Sequence, residues 1–174
     1  MRIVAGELGG RRIEAPPGVA LRPTSDRVRE ALFAILGDVS GLAFLDLFAG
    51  TGAVALEAVS RGAAAATLVD VDPAPARANV EALGVGDRCE IVAGDAIRFL
   101  GRDGGSYDLV YCDPPYRLAR RFAFELEDLL PRRLRPGGRV IVESAASDPL
   151  ELGLPLLDAR RYGRTALRIH GAPD

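Results

Sequence analysis

Lysine and tryptophan are missing from this chain altogether, histidine and methionine occur once each, and there are two cysteines. Each scarcity excludes something. Cys89 and Cys112 sit in strand-like runs with no CxxC pair, and His170 has no second histidine, so a disulfide scaffold and a zinc site are both ruled out as organising features. The cysteines instead read as reduced core residues of a cytosolic protein. No apolar run is long enough to span a bilayer, and the opening MRIVAGELGGRR lacks the hydrophobic stretch of a signal peptide. A cytoplasmic protein with no membrane partner is expected. Low-complexity tracts are absent and 48% of the residues are hydrophobic, which excludes a disordered chain. A length of 174 residues fits one domain with a substantial core, here divided as an N-terminal extension, 1–37, and a main body, 38–174.

The missing lysine gives the charge pattern its character. The net charge of −2 does not mark a nucleic-acid binder, yet all 22 basic residues are arginines and several are paired: Arg11-Arg12, Arg120-Arg121, Arg132-Arg133, Arg160-Arg161. Guanidinium groups suit phosphate and stack on bases. The same bias also follows from a GC-rich genome.

What is present centres on residues 44–54, FLDLFAGTGAV. The apolar run Phe44, Leu45, Leu47, Phe48 reads as a buried strand that stops at Ala49-Gly50-Thr51-Gly52, and a helical pattern begins at Ala53. A strand, glycine turn and helix in that order put backbone N–H groups and a helix N-terminus at the carboxyl edge of a sheet, where nucleotide-like ligands bind. Two glycines there let the backbone approach a ligand with no Cβ between.

Elsewhere, residues 2–14 read as two short strands, RIVA and RRIEA, and Pro16-Pro17-Gly18 breaks the pattern. Ser25 is a plausible N-cap for a helix with the apolar stripe Val28, Ala31, Leu32, Ile35, ended by Gly37. Strands are expected at 66–71, 89–92, 107–112, 139–143 and 165–170, the last with a partner near 154–159. Helices from Asp72-Pro73 to about 83, over 96–100 and from 116 through 130 alternate with them. Strands separated by helices give an α/β, Rossmann-like, mostly parallel seven-stranded sheet with helices on both faces and an antiparallel C-terminal strand.

Three carboxylates follow three successive strands: Asp46 beside the glycine turn, Asp70 twenty residues after Gly50, and Asp95 in AGDA. The Asp70 spacing is the one at which a carboxylate reaches a ribose hydroxyl. Gly50-x-Gly52-x-x-Ala55 also fits the dinucleotide fingerprint, which keeps an NAD-linked oxidoreductase as a rival class. Asp113-Pro114-Pro115-Tyr116, at the end of the fourth strand, separates the two. A dehydrogenase has no need of it, whereas a transferase acting on a conjugated amine does. The lone pair of a nucleobase amino group is delocalised into its ring. The Asp113 carboxylate and the Pro114 carbonyl can each accept one N–H and turn that lone pair toward an electrophilic methyl, so that catalysis is largely positioning. Prolines fix φ and offer carbonyls without competing donors, and Tyr116 offers a face on which a base can stack. Strand alternation turns Cys112 away from Asp113, which makes it a core residue and not a nucleophile.

RIVAGELGGRRI, LRPTSDRVREALF, LDLFAGTGAVALEAVSRGA, LVDVDP, DPPY and RRYGRTALRI together resemble the RsmD family of 16S ribosomal RNA guanine-N2 methyltransferases, within the class I S-adenosylmethionine-dependent enzymes. DPPY alone is common to amino-methyltransferases of DNA, RNA and protein; LRPTSDRVRE before the glycine turn is what narrows the resemblance. It implies S-adenosylmethionine as cofactor, held by Asp46 and by Phe48, Ala49, Gly50, Thr51 and Gly52 at the methionine end, Asp70 at the ribose and Asp95 with Ala96 at the adenine. It implies that Asp113, Pro114, Pro115 and Tyr116 hold the target amine, and that Arg22, Thr24 and Arg27 flank the cofactor and RNA entrance. Arg117, Arg120 and Arg121 are expected on phosphates beside a flipped base. Glu7-Leu8-Gly9 departs from the more basic or aromatic residues expected there. The implied partner is 16S ribosomal RNA, free or in an assembled small subunit, met by a monomer; adenine N6 or a protein glutamine are the alternative amines.

Overall fold

The computed structural model describes residues 1–15, 24–102 and 104–173, and for 116–118 the backbone only. Helix α1 (Asp26–Leu36) precedes a regular alternation of β1 (Ala43–Leu47), α2 (Ala53–Ser60), β2 (Ala65–Asp70), α3 (Ala74–Leu83), β3 (Cys89–Ala93), α4 (Ala96–Arg102), β4 (Tyr107–Cys112), α5 (Tyr116–Leu129) and β5 (Leu134–Ala145), closed by β6 (Leu156–Tyr162) and β7 (Thr165–Gly171). The strands form one sheet in the order β3-β2-β1-β4-β5-β7-β6, with β3 to β5 parallel and β7 antiparallel to both β5 and β6. The expected α/β architecture is the one observed. Among the described residues no helix is long and apolar enough to cross a membrane.

The sheet is covered on both faces, so its central strands are near-continuous apolar runs and not alternating ones. Phe44 and Leu68 pack with α1, α2 and α3 on one face, while Leu45, Leu47, Val110 and Cys112 pack with α4 and α5 on the other. Side-chain alternation therefore puts Tyr111 and Cys112 in opposite cores, and burial raises the Cys112 thiol far above its ordinary range. As expected, Ser25 caps α1, its Oγ accepting the Val28 N–H at 3.3 Å, and Gly37 ends it at φ 76°.

Two expectations need correction. Residues 2–14 do pair antiparallel with each other, the Ile3 N–H donating to Arg11 O at 2.9 Å and the Ile13 N–H to Met1 O at 3.0 Å, but the pairing amounts to one isolated bridge between Arg2 and Arg12 and not to two strands. Their backbone is fastened by side chains of α2 and α3: Glu57 accepts the Val4 and Ala5 N–H groups at 2.8 and 3.0 Å, and the Ser60 Oγ accepts from Leu8 at 3.0 Å. The fifth strand begins at Leu134, five residues earlier than the apolar run indicated, because Pro136-Gly137-Gly138 is accommodated within it by a register shift opposite Tyr107 and Leu109.

Candidate active site

A cleft of about 420 Å³ opens at the carboxyl ends of β1, β2 and β4. The glycine turn forms its floor. Phe48, Gly50 and Gly52 all take positive φ, at 63°, 55° and 76°. For Phe48 this is a strained conformation, costing roughly 1 kcal/mol or more. It is held by the Ala49 N–H donating to Val69 O at 3.0 Å and by the Phe48 ring stacking on Phe122 of α5, centroids 6.1 Å apart. Gly50 lines the cleft, but Gly52 does not: a Cβ on Gly52 would come within 2.7 Å of Leu68 Cδ2. The second glycine makes room for the core, and only the first faces the cleft.

The carboxylates hold the turn open from its two sides. Asp70 accepts the Gly50 N–H at 2.7 Å through one oxygen and the Asp72 N–H at 2.9 Å through the other, so the carboxylate expected at a ribose sets the shape of the turn. Asp46 substitutes for a cap on α2: Gly52 has no side chain to offer, and the Ala55 N–H donates to Asp46 Oδ2 at 3.1 Å. Burial pushes the Asp46 carboxyl up to about 7; the Ala55 N–H opposes this, while Asp70 and Glu143 add to it by repulsion. Asp95 caps α4, accepting the Arg98 N–H at 2.9 Å, and reaches the cleft with Ala96. Asp72 accepts the Ala74 N–H at 3.2 Å from the position before Pro73, which itself occupies the N-cap of α3.

Across the cleft from the turn, β4 delivers Asp113, Pro114 and Pro115 to the same space. Asp113 is half-buried and Pro114 buried. Helix α5 begins at Tyr116, so Arg117 stands in its first turn; the side chains of both lie outside the described residues, as does Arg22. Arg27 and Arg121 are exposed, and Arg120 is exposed in an ion pair with Asp148 at 2.6 Å.

Thr24, expected to flank the cofactor and RNA entrance, lines the cleft. It is buried in the cleft wall, donating to Glu143 Oε2 at 3.0 Å, with the Tyr111 hydroxyl 3.0 Å away and donating to the same oxygen. Its hydroxyl is committed to a buried carboxylate. Both hydroxyl protons go to Glu143, so the Thr24–Tyr111 contact carries none of its own.

Three buried polar residues escaped sequence reasoning. Asn79 accepts the Glu14 N–H at 2.9 Å and donates to Glu14 O and Thr51 O at 2.9 and 3.0 Å, tying the N-terminal segment to the back of the glycine turn. Arg29 and Glu57 are fully buried, 3.8 Å apart; Arg29 donates to Thr24 O at 2.8 Å and to Arg2 O. The detectable signal for Arg29 is its position in the middle of the apolar stripe of α1, one residue after Val28. Glu7, the departure noted in the opening segment, is ion-paired with Arg88.

A mostly parallel sheet of order 3-2-1-4-5-7-6 with β7 antiparallel, a glycine turn after β1, an acidic residue ending β2 and Asp-Pro-Pro after β4, defines a Rossmann-like class I methyltransferase fold. Comparison with known proteins agrees. The family model described as "Conserved hypothetical protein 95" matches residues 1–171, and the chain belongs to that family, the RsmD family. It is 43% identical over 121 residues to Ribosomal RNA small subunit methyltransferase D of Escherichia coli strain K12, covering 67% of this chain and 61% of that protein. The chain thus spans about three fifths of that relative's length. The Haemophilus influenzae protein of the same name is 31% identical over 159 residues, covering 86% of this chain and 81% of its own. The solved structure of Escherichia coli yhhF, a provisionally named methyltransferase, superposes with a TM-score of 0.85 at 34% identity, covering 99% of this chain and 97% of the other.

Proposed function

We propose that this protein transfers a methyl group from S-adenosylmethionine to the exocyclic N2 amine of a guanine in 16S ribosomal RNA. The observation that carries the reading is one cleft with two chemically different walls: the glycine turn with Asp70 on one side, Asp113-Pro114-Pro115 on the other. The residues present fit the cofactor. Val54, Val69 and Val71 give an apolar surface suited to a base, Val71 being 77% exposed toward the opening, and Asp70 and Asp95 place carboxylates at either end of that surface. Asp70 would hold the ribose, Asp95 and Ala96 the adenine, and Asp46 with residues 48–51 the amino-acid end. When bound, the cofactor supplies an electrophilic methyl on a sulfonium sulfur.

The chain's own contribution is geometric. Asp113 and the Pro114 carbonyl accept the two N–H groups of the amine, which frees its lone pair from conjugation and aims it into the cleft. Asp113 holds the developing positive charge on nitrogen until a proton is lost. The relatives that bear the name small subunit methyltransferase D support ribosomal RNA as the substrate. Family membership and the packing role of Gly52 weigh against the dinucleotide reading.

Asp113→Ala is expected to bind S-adenosylhomocysteine as the wild type does and to lose turnover by about 10²-fold or more. Wild-type turnover in that variant would remove Asp113 from the mechanism. Nucleoside mass analysis after incubation with small-subunit RNA should show N2-methylguanosine; N6-methyladenosine as sole product would replace the guanine assignment, and stabilisation by NADH but not by S-adenosylhomocysteine would restore the oxidoreductase.

A further inference from the structure

The β6–β7 hairpin is absorbed by neither the cofactor site nor the Asp113 wall, and its charge is unlike that of the chain. Residues 156–171 carry Arg160, Arg161, Arg164 and Arg168 against a single acidic residue, Asp158, in a protein of net charge −2. The turn between the strands, Gly163-Arg164, is set by Gly163 at φ 60° and by the pairing of Tyr162 with Thr165. The topology places that turn on the functional edge of the sheet. Thr165 is in register with Ala145, the last residue of β5, and the Ala146 N–H donates to Arg164 O at 2.9 Å. Beside it in the sheet, β5 pairs with β4, whose next residue is Asp113. Two to three strand spacings, roughly 10–15 Å at about 4.8 Å each, separate the reacting edge from the hairpin tip.

The tip is rigid where it needs to be and uncommitted where a ligand would meet it. Tyr162 packs against the core that contains α1, while Arg160, Arg161 and Arg164 are exposed. Arg160 is ion-paired with Asp158 at 3.1 Å. Arg161 spends only its Nε, on Gly163 O at 3.3 Å, and among the described residues Arg164 has no side-chain partner. Two guanidinium groups without counter-ions, fixed on a short hairpin beside the reacting edge, complement a polyanion by charge and by the planar fork that suits phosphate.

We infer that Arg161 and Arg164 form a phosphate-binding surface for the RNA strand that flanks the target base, on the β5–β7 side of Asp113. This rests on the reading of the substrate as RNA. The test uses the full chain and a short single-stranded fragment of small-subunit ribosomal RNA, with affinity measured by fluorescence anisotropy over about 50–200 mM salt. Losing two phosphate contacts should reduce the slope of log affinity against log salt by about 1.4 in Arg161→Gln/Arg164→Gln. The same variant should raise KM for RNA severalfold, with kcat at saturating RNA, S-adenosylhomocysteine affinity and melting temperature unchanged. Arg161→Lys/Arg164→Lys should recover the slope, because it keeps the charges. A glutamine variant with the wild-type slope and KM overturns the inference and leaves the functional reading standing. A wild-type protein that binds S-adenosylhomocysteine but not the RNA overturns both.

Discussion

Replacing Asp46 by asparagine isolates the electrostatic cost built into the glycine turn. The carboxyl titrates near 3.8 in an unfolded chain and is pushed up to about 7 in the fold, chiefly by burial. Because the folded state holds the proton more tightly, the contribution is fully present below pH 4 and is lost as pH rises through 7. By linkage, the loss between pH 5.5 and pH 8 comes to about 2 kcal/mol for this one group. For a chain of this size that is roughly 4–8 °C in melting temperature. Asparagine keeps an oxygen for the Ala55 N–H but has nothing to titrate. Thermal unfolding of both proteins, without cofactor, at pH 5.5 and pH 8 gives a difference of differences in which the titrating groups not coupled to residue 46 cancel. Asp46→Asn should gain on the wild type by roughly 4–8 °C between the two pH values. A gap that stays constant with pH would refute the reasoning, since it would mean that the buried carboxyl does not titrate in this window.

Glu57→Ala should be strongly destabilising, by roughly 3–5 kcal/mol in urea unfolding, because it releases the Val4 and Ala5 N–H groups, breaks the ion pair with Arg61 at 2.8 Å and leaves the buried Arg29 guanidinium with Asp26 alone as its carboxylate partner; a loss under 1 kcal/mol would show the Glu57 contacts to be dispensable. Gly6→Ala and Gly10→Ala make a matched pair. Both glycines have positive φ, but a Cβ on Gly6 would lie 1.8 Å from Ser60 O, whereas nothing lies within 4 Å at Gly10. The Gly6 variant should lose about 3 kcal/mol or more and the Gly10 variant about 1 kcal/mol; equal losses would mean that the contact with Ser60 carries no weight.

Much of the catalytic edge was legible because its signals are local. β1 and β4 are short apolar runs bounded by glycine or proline, and Tyr107–Cys112 was bounded correctly from its sequence alone. Asp70 announced itself by its distance from Gly50. What stayed hidden is non-local. Nothing in VALEAVS says that Glu57 faces inward to collect two backbone N–H groups from a segment more than fifty residues away, nor that Asn79 links Glu14 to Thr51. RIVA and RRIEA have the composition of strands and pair with each other through Ile3 and Ile13, but the Val4, Ala5 and Glu14 N–H groups go to side chains of α2 and α3, and a propensity argument does not see where a backbone donor ends up. Thr24 sits within an arginine-rich motif, which suggested the surface; its burial follows from Glu143, a residue that looked like an ordinary strand terminus.

The fastening of residues 1–14 has a consequence for the order of events in folding. The side-chain hydrogen bonds that join this segment to α2 and α3 span sequence separations of 52 to 71 residues. Closing loops of that length is entropically unfavourable until α2 and α3 are already seated on the sheet. The segment therefore docks late, and substitutions at its anchor points act on the unfolding limb of a chevron while leaving the folding limb nearly unchanged. The back of the glycine turn, through Asn79, is completed only at that final step.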